Sequence, residues 1–229
     1  MNKRQVLSGE LAVGATLPSE RELARILGVS RPAVREALGR VAAAGLVSIR
    51  QGGSTKVLDP AVAGGLDLLP RLLVRDGELD PRVARSVVEA RALVGPEVAE
   101  LAARRAAADV VPALSAILDE LAAEPDSIAQ QVIALEFWSR VIDAADSIAF
   151  RLMYNSLRAA YEPALPVLAA VLEPEIANIG GYRAVVDAIA ARDPARAGTA
   201  ARALLAPATD ALLEMCAALI ADDPEERDG

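Results

Sequence analysis

Pro18-Ser19-Glu20-Arg21-Glu22-Leu23, then Gly28-Val29-Ser30-Arg31-Pro32, then Val34-Arg35-Glu36-Ala37-Leu38 is the stretch that decides the fold of the N-terminal quarter. Ser19 is a helix N-cap, and Glu22, three positions on, completes a capping box. Leu23, Ile26 and Leu27 recur at helical spacing and form one apolar stripe. Gly28 suits the left-handed residue that closes a helix. Val29 turns the chain and Ser30 caps a second helix. Pro32 falls in its first turn, where no backbone donor is lost. This helix runs to about Ala44 on a stripe of Val34, Leu38 and Val41, and Gly45 terminates it. Arg31 and Arg35, four apart, share a neighbouring face. Leu46-Val47-Ser48-Ile49-Arg50 alternates like a half-buried strand, Gln51-Gly52-Gly53-Ser54 is a tight turn, and Thr55-Lys56-Val57-Leu58 is the return strand.

Helix, glycine turn, helix with two arginines at its start, and glycine-tipped hairpin is the plan of a winged helix-turn-helix. The second helix of such a unit lies in a major groove with its first turn at the base edges. Arginine suits that place because its planar fork grips guanine O6 and N7. The glycines of the hairpin tip allow close approach to the adjacent backbone. The competing reading is a small helical subdomain whose arginines merely face water.

Working outward, the 229 residues carry 24 Lys or Arg against 32 Asp or Glu, a net charge of −8. The charge is partitioned. Residues 1–59 hold nine basic and five acidic residues, a surplus of four; residues 60–229 hold fifteen and twenty-seven, a deficit of twelve. A basic head on an acidic remainder predicts two domains with different partners, the head attracting phosphates. The chain has no histidine and one cysteine, Cys216. That excludes a Ser-His-Asp triad, a Cys-His pair, a histidine metal site and an internal disulfide, and predicts a non-enzyme in a reducing cytoplasm. No run of about 18 uncharged apolar residues appears, so no membrane partner is expected. The carboxylates Asp143 and Asp146 read as a solvated helix end rather than a catalytic pair.

The expected organisation is a DNA-binding domain over 1–59, a linker with a short helix around Leu66–Val74 over 60–79, an all-helical domain over 80–221, and an acidic tail over 222–229. Asp80-Pro81 caps a long helix that Pro96 bends. Further helices are predicted over 108–123, 126–145, 147–162, 173–191 and 194–221. The fold class is therefore mainly α, a winged helix-turn-helix followed by an antiparallel helical bundle. All six aromatic residues lie between 137 and 182, so the first domain has an aliphatic core.

Leu17-Pro18-Ser19-Glu20-Arg21-Glu22-Leu23-Ala24, Gly28-Val29-Ser30-Arg31, Val34-Arg35-Glu36-Ala37-Leu38 and Gly45-Leu46-Val47 resemble the signature of GntR-type transcriptional regulators, and residues 80–220 resemble the helical effector domain of the FadR branch. The resemblance implies that Arg21, Arg31 and Arg35 contact DNA, with Ser30 at the helix start and the tip Gln51, Gly52 and Gly53 reaching the minor groove. It implies a homodimer on a palindromic operator of double-stranded DNA, acting on the nucleoid. Family members have a longer helix before the Leu7–Leu11 stretch than Met1–Ser8 provides, which predicts an earlier start or a truncation.

Many members of that branch bind a metal through one Asp and three His. The matching places here are Ala134, Trp138, Tyr182 and about Leu204, so no metal and no other cofactor is expected. The segment 145–161 is similar to the corresponding helix of fatty-acid-responsive regulators, which implies a long-chain fatty acyl-CoA effector that releases the operator. Phe150, Tyr154, Leu157 and Tyr161 form one helical stripe. Trp138, Phe137 and Tyr182 complete an apolar cavity for an acyl chain, and Arg151 or Arg158 meets phosphates at its mouth. Two alternatives stay open: a different non-metal effector in the same type of regulator, and a stripe that is ordinary bundle core.

Overall fold

The computed structural model describes residues 11–49, 54–75 and 78–222. The chain forms two compact units that divide between Leu68 and Leu69. In the first, α1 (Glu20–Leu27) and α2 (Arg31–Ala43) are followed by β1 (Val47–Ser48), β2 (Lys56–Val57), the short helix α3 (Pro60–Ala63) and a 3-10 turn at Leu66–Leu68. The side-chain oxygen of Ser19 accepts from the Glu22 amide at 3.3 Å, and that of Ser30 from the Ala33 amide at 3.4 Å, so each helix begins on its predicted cap. Gly28 closes α1 in the left-handed region at φ 72°.

Strands β1 and β2 pair antiparallel, Val47 with Val57 and Ser48 with Lys56. The return strand also pairs on its other edge, which the sequence did not reveal. Gly14 donates to Val57 at 2.9 Å, Leu17 to Thr55 at 2.8 Å, and Val57 back to Ala15 at 2.9 Å. Residues before α1 thereby tie the hairpin to the helices. Leu23, Val34 and Val47 are buried and make the aliphatic core. Gly45 turns the chain out of α2 at φ 74°, and a Cβ there would stand 2.1 Å from the carbonyl oxygen of Ala63, so only glycine fits.

The second unit begins with α4 (Leu69–Leu73) and a two-residue hairpin, β3 (Val74–Arg75) against β4 (Glu78–Leu79). Seven helices follow: α5 (Pro81–Arg105), α6 (Val110–Ala123), α7 (Ser127–Ala144), α8 (Ile148–Tyr161), α9 (Leu165–Ile176), α10 (Ile179–Ala190) and α11 (Pro194–Ala221). Ala99, Ala102 and Ala103 on α5, and Ala197, Ala201 and Ala208 on α11, are completely buried. Side chains this small let two long helices lie close together at the centre of the bundle. Helix α5 continues through Pro96, whose ring is itself buried. Among the described residues α11 is the one helix long and apolar enough by length and composition to cross a membrane. It contains Asp210 and Glu214, and buried Leu204, Leu205, Ala208 and Leu212 make it a core helix of this bundle.

The sequence predicted one helix over 173–191, and the structure has two. Helix α9 starts earlier because Pro166 sits in its first turn, where proline is tolerated. The break falls at Asn178, whose side-chain oxygen accepts from the Gly181 amide at 2.9 Å and caps α10. The β3–β4 hairpin was also unforeseen, since two-residue strands carry no periodic signal.

Candidate DNA-reading surface and effector cavity

At the start of α2 the structure brings three charged residues together. The Glu20 carboxylate accepts from Arg35 Nη2 at 3.0 Å and from Arg35 Nε at 3.2 Å, a fork-to-fork contact. Arg31 Nη2 lies 4.0 Å from the same carboxylate. The Arg35 hydrogen bonds hold the Glu20 carboxyl below its usual range, against slight desolvation and helped by the charges of Arg35 and Arg31. Both arginines remain exposed, at 59 % for Arg31 and 70 % for Arg35, so their outer edges stay open to a ligand. Arg21 is exposed on α1, and Ser30 is spent on the cap. Gln51, Gly52 and Gly53 lie outside the described residues. Glu20 is the member of this charged cluster that the sequence reading missed, because it was read only as part of the helix start.

The helical unit contains a partly open cavity of about 120 Å³. Its walls come from five helices. Phe150, Met153, Tyr154, Leu157, Arg158 and Tyr161 of α8 supply one side; Trp138 and Ala134 of α7, Val94 and Gly95 of α5, Leu172 of α9 and Leu205 of α11 supply the rest. The aromatic stripe thus lines the cavity while also packing against the bundle core. Tyr154 is fixed by donating to the Leu135 carbonyl. Arg158 is 30 % exposed, with its Nε 2.7 Å from Glu162 and its Nη1 3.8 Å from Glu136.

Three predicted pocket residues do not line this cavity. Arg151 is held instead by Asp143 and by the side chain and carbonyl of Ser139. Tyr182 and Phe137 are completely buried in the core, their rings edge-on with centroids 4.9 Å apart. Helical periodicity put all three on the correct elements but could not say which way the neighbouring helices would press them.

Three polar residues absent from the sequence reading do line it: Arg91 of α5, Gln131 of α7 and Glu175 of α9. Arg91 Nη2 donates to Glu175 Oε1, and the Tyr161 hydroxyl donates to Gln131 Oε1 at 3.2 Å. Gln131 and Glu175 are each only 2 % exposed. Arg91 Nη1, Gln131 Nε2 and Glu175 Oε2 are buried and have no hydrogen-bond partner. Burial pushes the Glu175 carboxyl up, and the charge and hydrogen bond of Arg91 pull it back. An unspent donor or acceptor that water cannot reach costs about 1–3 kcal/mol, and these three all lie on residues that line the cavity.

The four positions matching the family's metal ligands do not fit a metal. Ala134 and Leu204 carry no donor atom, and the Trp138 indole nitrogen only donates a proton. Burial raises the Tyr182 hydroxyl well above its usual 10, with smaller contributions led by the Glu175 charge, so it stays protonated. Among the described residues no group of three or more His, Cys, Asp or Glu converges on a point.

Residues 3–57 match the gntR family of bacterial regulatory proteins, and residues 86–207 match the FCD domain. The chain is 51 % identical over 208 residues to the HTH-type transcriptional regulator Mce2R of Mycobacterium tuberculosis, covering 91 % of this chain and 87 % of that protein. A fatty acid metabolism regulator protein of Vibrio cholerae is 34 % identical over 91 residues, which is 40 % of this chain and 33 % of that one. The solved structure of Lar, which controls expression of the Listeria monocytogenes agr system, superposes with a TM-score of 0.56 at 16 % identity over 93 % of each chain, a likeness of fold. The chain belongs to the gntR family and carries its FCD-type effector domain. It is a ligand-responsive, DNA-binding transcriptional regulator, and its relatives are regulators rather than enzymes.

Proposed function

We propose that this regulator binds a palindromic operator as a homodimer in the cytoplasm, and that a compact, mainly apolar molecule held without a metal in the α5–α7–α8–α9–α11 cavity changes its operator affinity. The cavity carries this reading: it combines an apolar wall with a few convergent polar groups, the combination typical of small-molecule sites. In the DNA-binding unit, Arg31 and Arg35 read base edges, Arg21 and the start of α2 at Ser30 meet phosphates, and the tip Gln51–Gly53 follows the minor groove. Exposed Ile148 and Leu152, one turn apart on α8, give the helical unit apolar surface that a second copy would cover. An effector alters binding only if it favours one arrangement of the dimer over another.

Long-chain acyl-CoA is the second reading, favoured by the aromatic stripe along the cavity and by the partial likeness to a fatty acid metabolism regulator. Two observations favour a smaller ligand. A space of about 120 Å³ is comparable to an engineered cavity of about 150 Å³ that admits benzene. Arg158, a cation lining the cavity, already faces two carboxylates and has little attraction left for phosphates. Fluorescence anisotropy on the DNA upstream of the protein's own gene tests both. Tight binding reversed by palmitoyl- or oleoyl-CoA, but not by free CoA, establishes the acyl-CoA reading. Tight binding indifferent to them, and relieved by a compact apolar compound, establishes the first. Failure to bind that DNA or any genomic fragment at low salt overturns the operator assignment.

A further inference from the structure

We propose that the effector is an uncharged apolar molecule bearing a hydroxyl or carboxamide head, and that this head is read inside the cavity by Arg91, Gln131 and Glu175. The inference rests on the cavity being the effector site. It follows from which hydrogen-bonding positions are left over and from the charge already present.

The polar side chains along the cavity differ in how enclosed they are. Arg158 is 30 % exposed and its partners Glu136 and Glu162 are 48 % and 43 % exposed. Arg91 is 27 % exposed, and Gln131 and Glu175 are almost completely enclosed. Arg91 donates to Glu175, and the Tyr161 hydroxyl donates to Gln131. A ligand that placed only methyl or methylene groups against these residues would leave Arg91 Nη1, Gln131 Nε2 and Glu175 Oε2 unpaired. The ligand's polar head therefore belongs against them and its apolar body along the aromatic wall.

The unspent groups on residues lining the cavity are three donors, Arg91 Nη1, Gln131 Nε2 and Trp138 Nε1, and one acceptor, Glu175 Oε2. A hydroxyl or a primary amide can accept from Arg91 or Gln131 and donate to Glu175 at once. A carboxylate can only accept, and it would face the Glu175 carboxylate. The Arg91 charge is already matched by Glu175, so an anionic head adds an uncompensated charge to a buried site. A CoA thioester fails differently: its nucleotide is far too large for a space of about 120 Å³, and an acyl chain there would set only methyl and methylene groups against the polar cluster.

Trp138 lines the cavity and is the only tryptophan, so its fluorescence reports occupancy directly. The full-length protein would be titrated at pH 7 with hexane, 1-hexanol, hexanamide, hexanoate and hexanoyl-CoA. The expected result is that hexanol and hexanamide bind at least about tenfold more tightly than hexanoate or hexanoyl-CoA. Glu175→Gln, which leaves the Arg91 charge unmatched, should reverse the order of hexanoate and hexanol. Should that variant fail to fold, Gln131→Leu serves instead, weakening hexanol and hexanamide relative to hexane. Tighter binding of hexanoate or hexanoyl-CoA to the wild-type protein overturns the head assignment and leaves the cavity as the effector site. Absence of a Trp138 response to all five compounds overturns the cavity reading and this inference together.

Discussion

Replacing Glu20 by Gln separates the electrostatic from the positioning part of DNA reading. The amide keeps the size of the carboxylate and removes one negative charge. That charge lies 3.0 Å from Arg35 and 4.0 Å from Arg31. The two arginines are 70 % and 59 % exposed, and pairs this solvated contribute little to stability. The variant should therefore unfold at the same denaturant concentration as the wild type. Its DNA binding should change in two opposed ways. Arginines released from the carboxylate can take up one more phosphate, which steepens the log-affinity against log-salt slope by about 0.9 and adds roughly 3.5-fold salt sensitivity between 50 and 200 mM. Arg35 also loses the partner that fixes the plane of its fork, so discrimination between operator and scrambled duplex falls. Arg35→Ala should weaken operator binding about 5- to 150-fold and relax sequence preference. Arg35→Lys should not restore it, because an ammonium has no planar fork. The assay is fluorescence anisotropy on operator and scrambled duplexes at four salt concentrations. Operator affinity unchanged in both Arg35→Ala and Arg31→Ala would refute α2 as the reading helix. An unchanged salt slope and unchanged discrimination in Glu20→Gln would refute the role given to the carboxylate.

Phe137 is fully buried between Trp138 and Tyr182, so Phe137→Ala should cost about 3–5 kcal/mol in a urea melt; a loss under about 1 kcal/mol contradicts the packing described. Gly45→Ala places a methyl group against the Ala63 carbonyl at a positive φ and should destabilise the protein by about 1 kcal/mol or more, read as a shift in the melting midpoint. Glu175 has its folded-state pKa raised above the usual 4.5 by burial. Its contribution to stability is thus complete below 4.5 and is lost as pH rises through the folded value. Glu175→Gln should abolish that fall in a pH series of melts, and persistence of the same fall assigns it to another group. Sedimentation equilibrium should give twice the chain mass of 23.8 kDa, and a 23.8 kDa species at micromolar concentration contradicts the dimer.

The N-terminal head was legible because its signals are local. Caps at Ser19 and Ser30, the glycine at 28 and the apolar stripes all act within about one helical turn. The helices of the second unit were legible for the same reason, except where Pro166 and Pro174 obscured α9. The apolar side of the cavity was visible as the stripe from Phe150 to Tyr161. Its polar groups were not. Arg91 and Glu175 lie 84 positions apart, and Gln131 and Tyr161 lie 30 apart. Each, read alone, looks like one more polar residue on an amphipathic helix.

The sequence by itself determined the order of elements, the partition of charge between head and remainder, and the absence of histidine chemistry. These depend on residue identity and on spacings within a turn or two. Only the tertiary structure decided which polar groups meet: Glu20 beneath Arg35, Arg158 between two carboxylates, and Arg91 against Glu175 with hydrogen-bonding capacity to spare. The physical reason is that such pairing is set by how whole helices pack, which is a sum over many distant apolar contacts that no local spacing encodes.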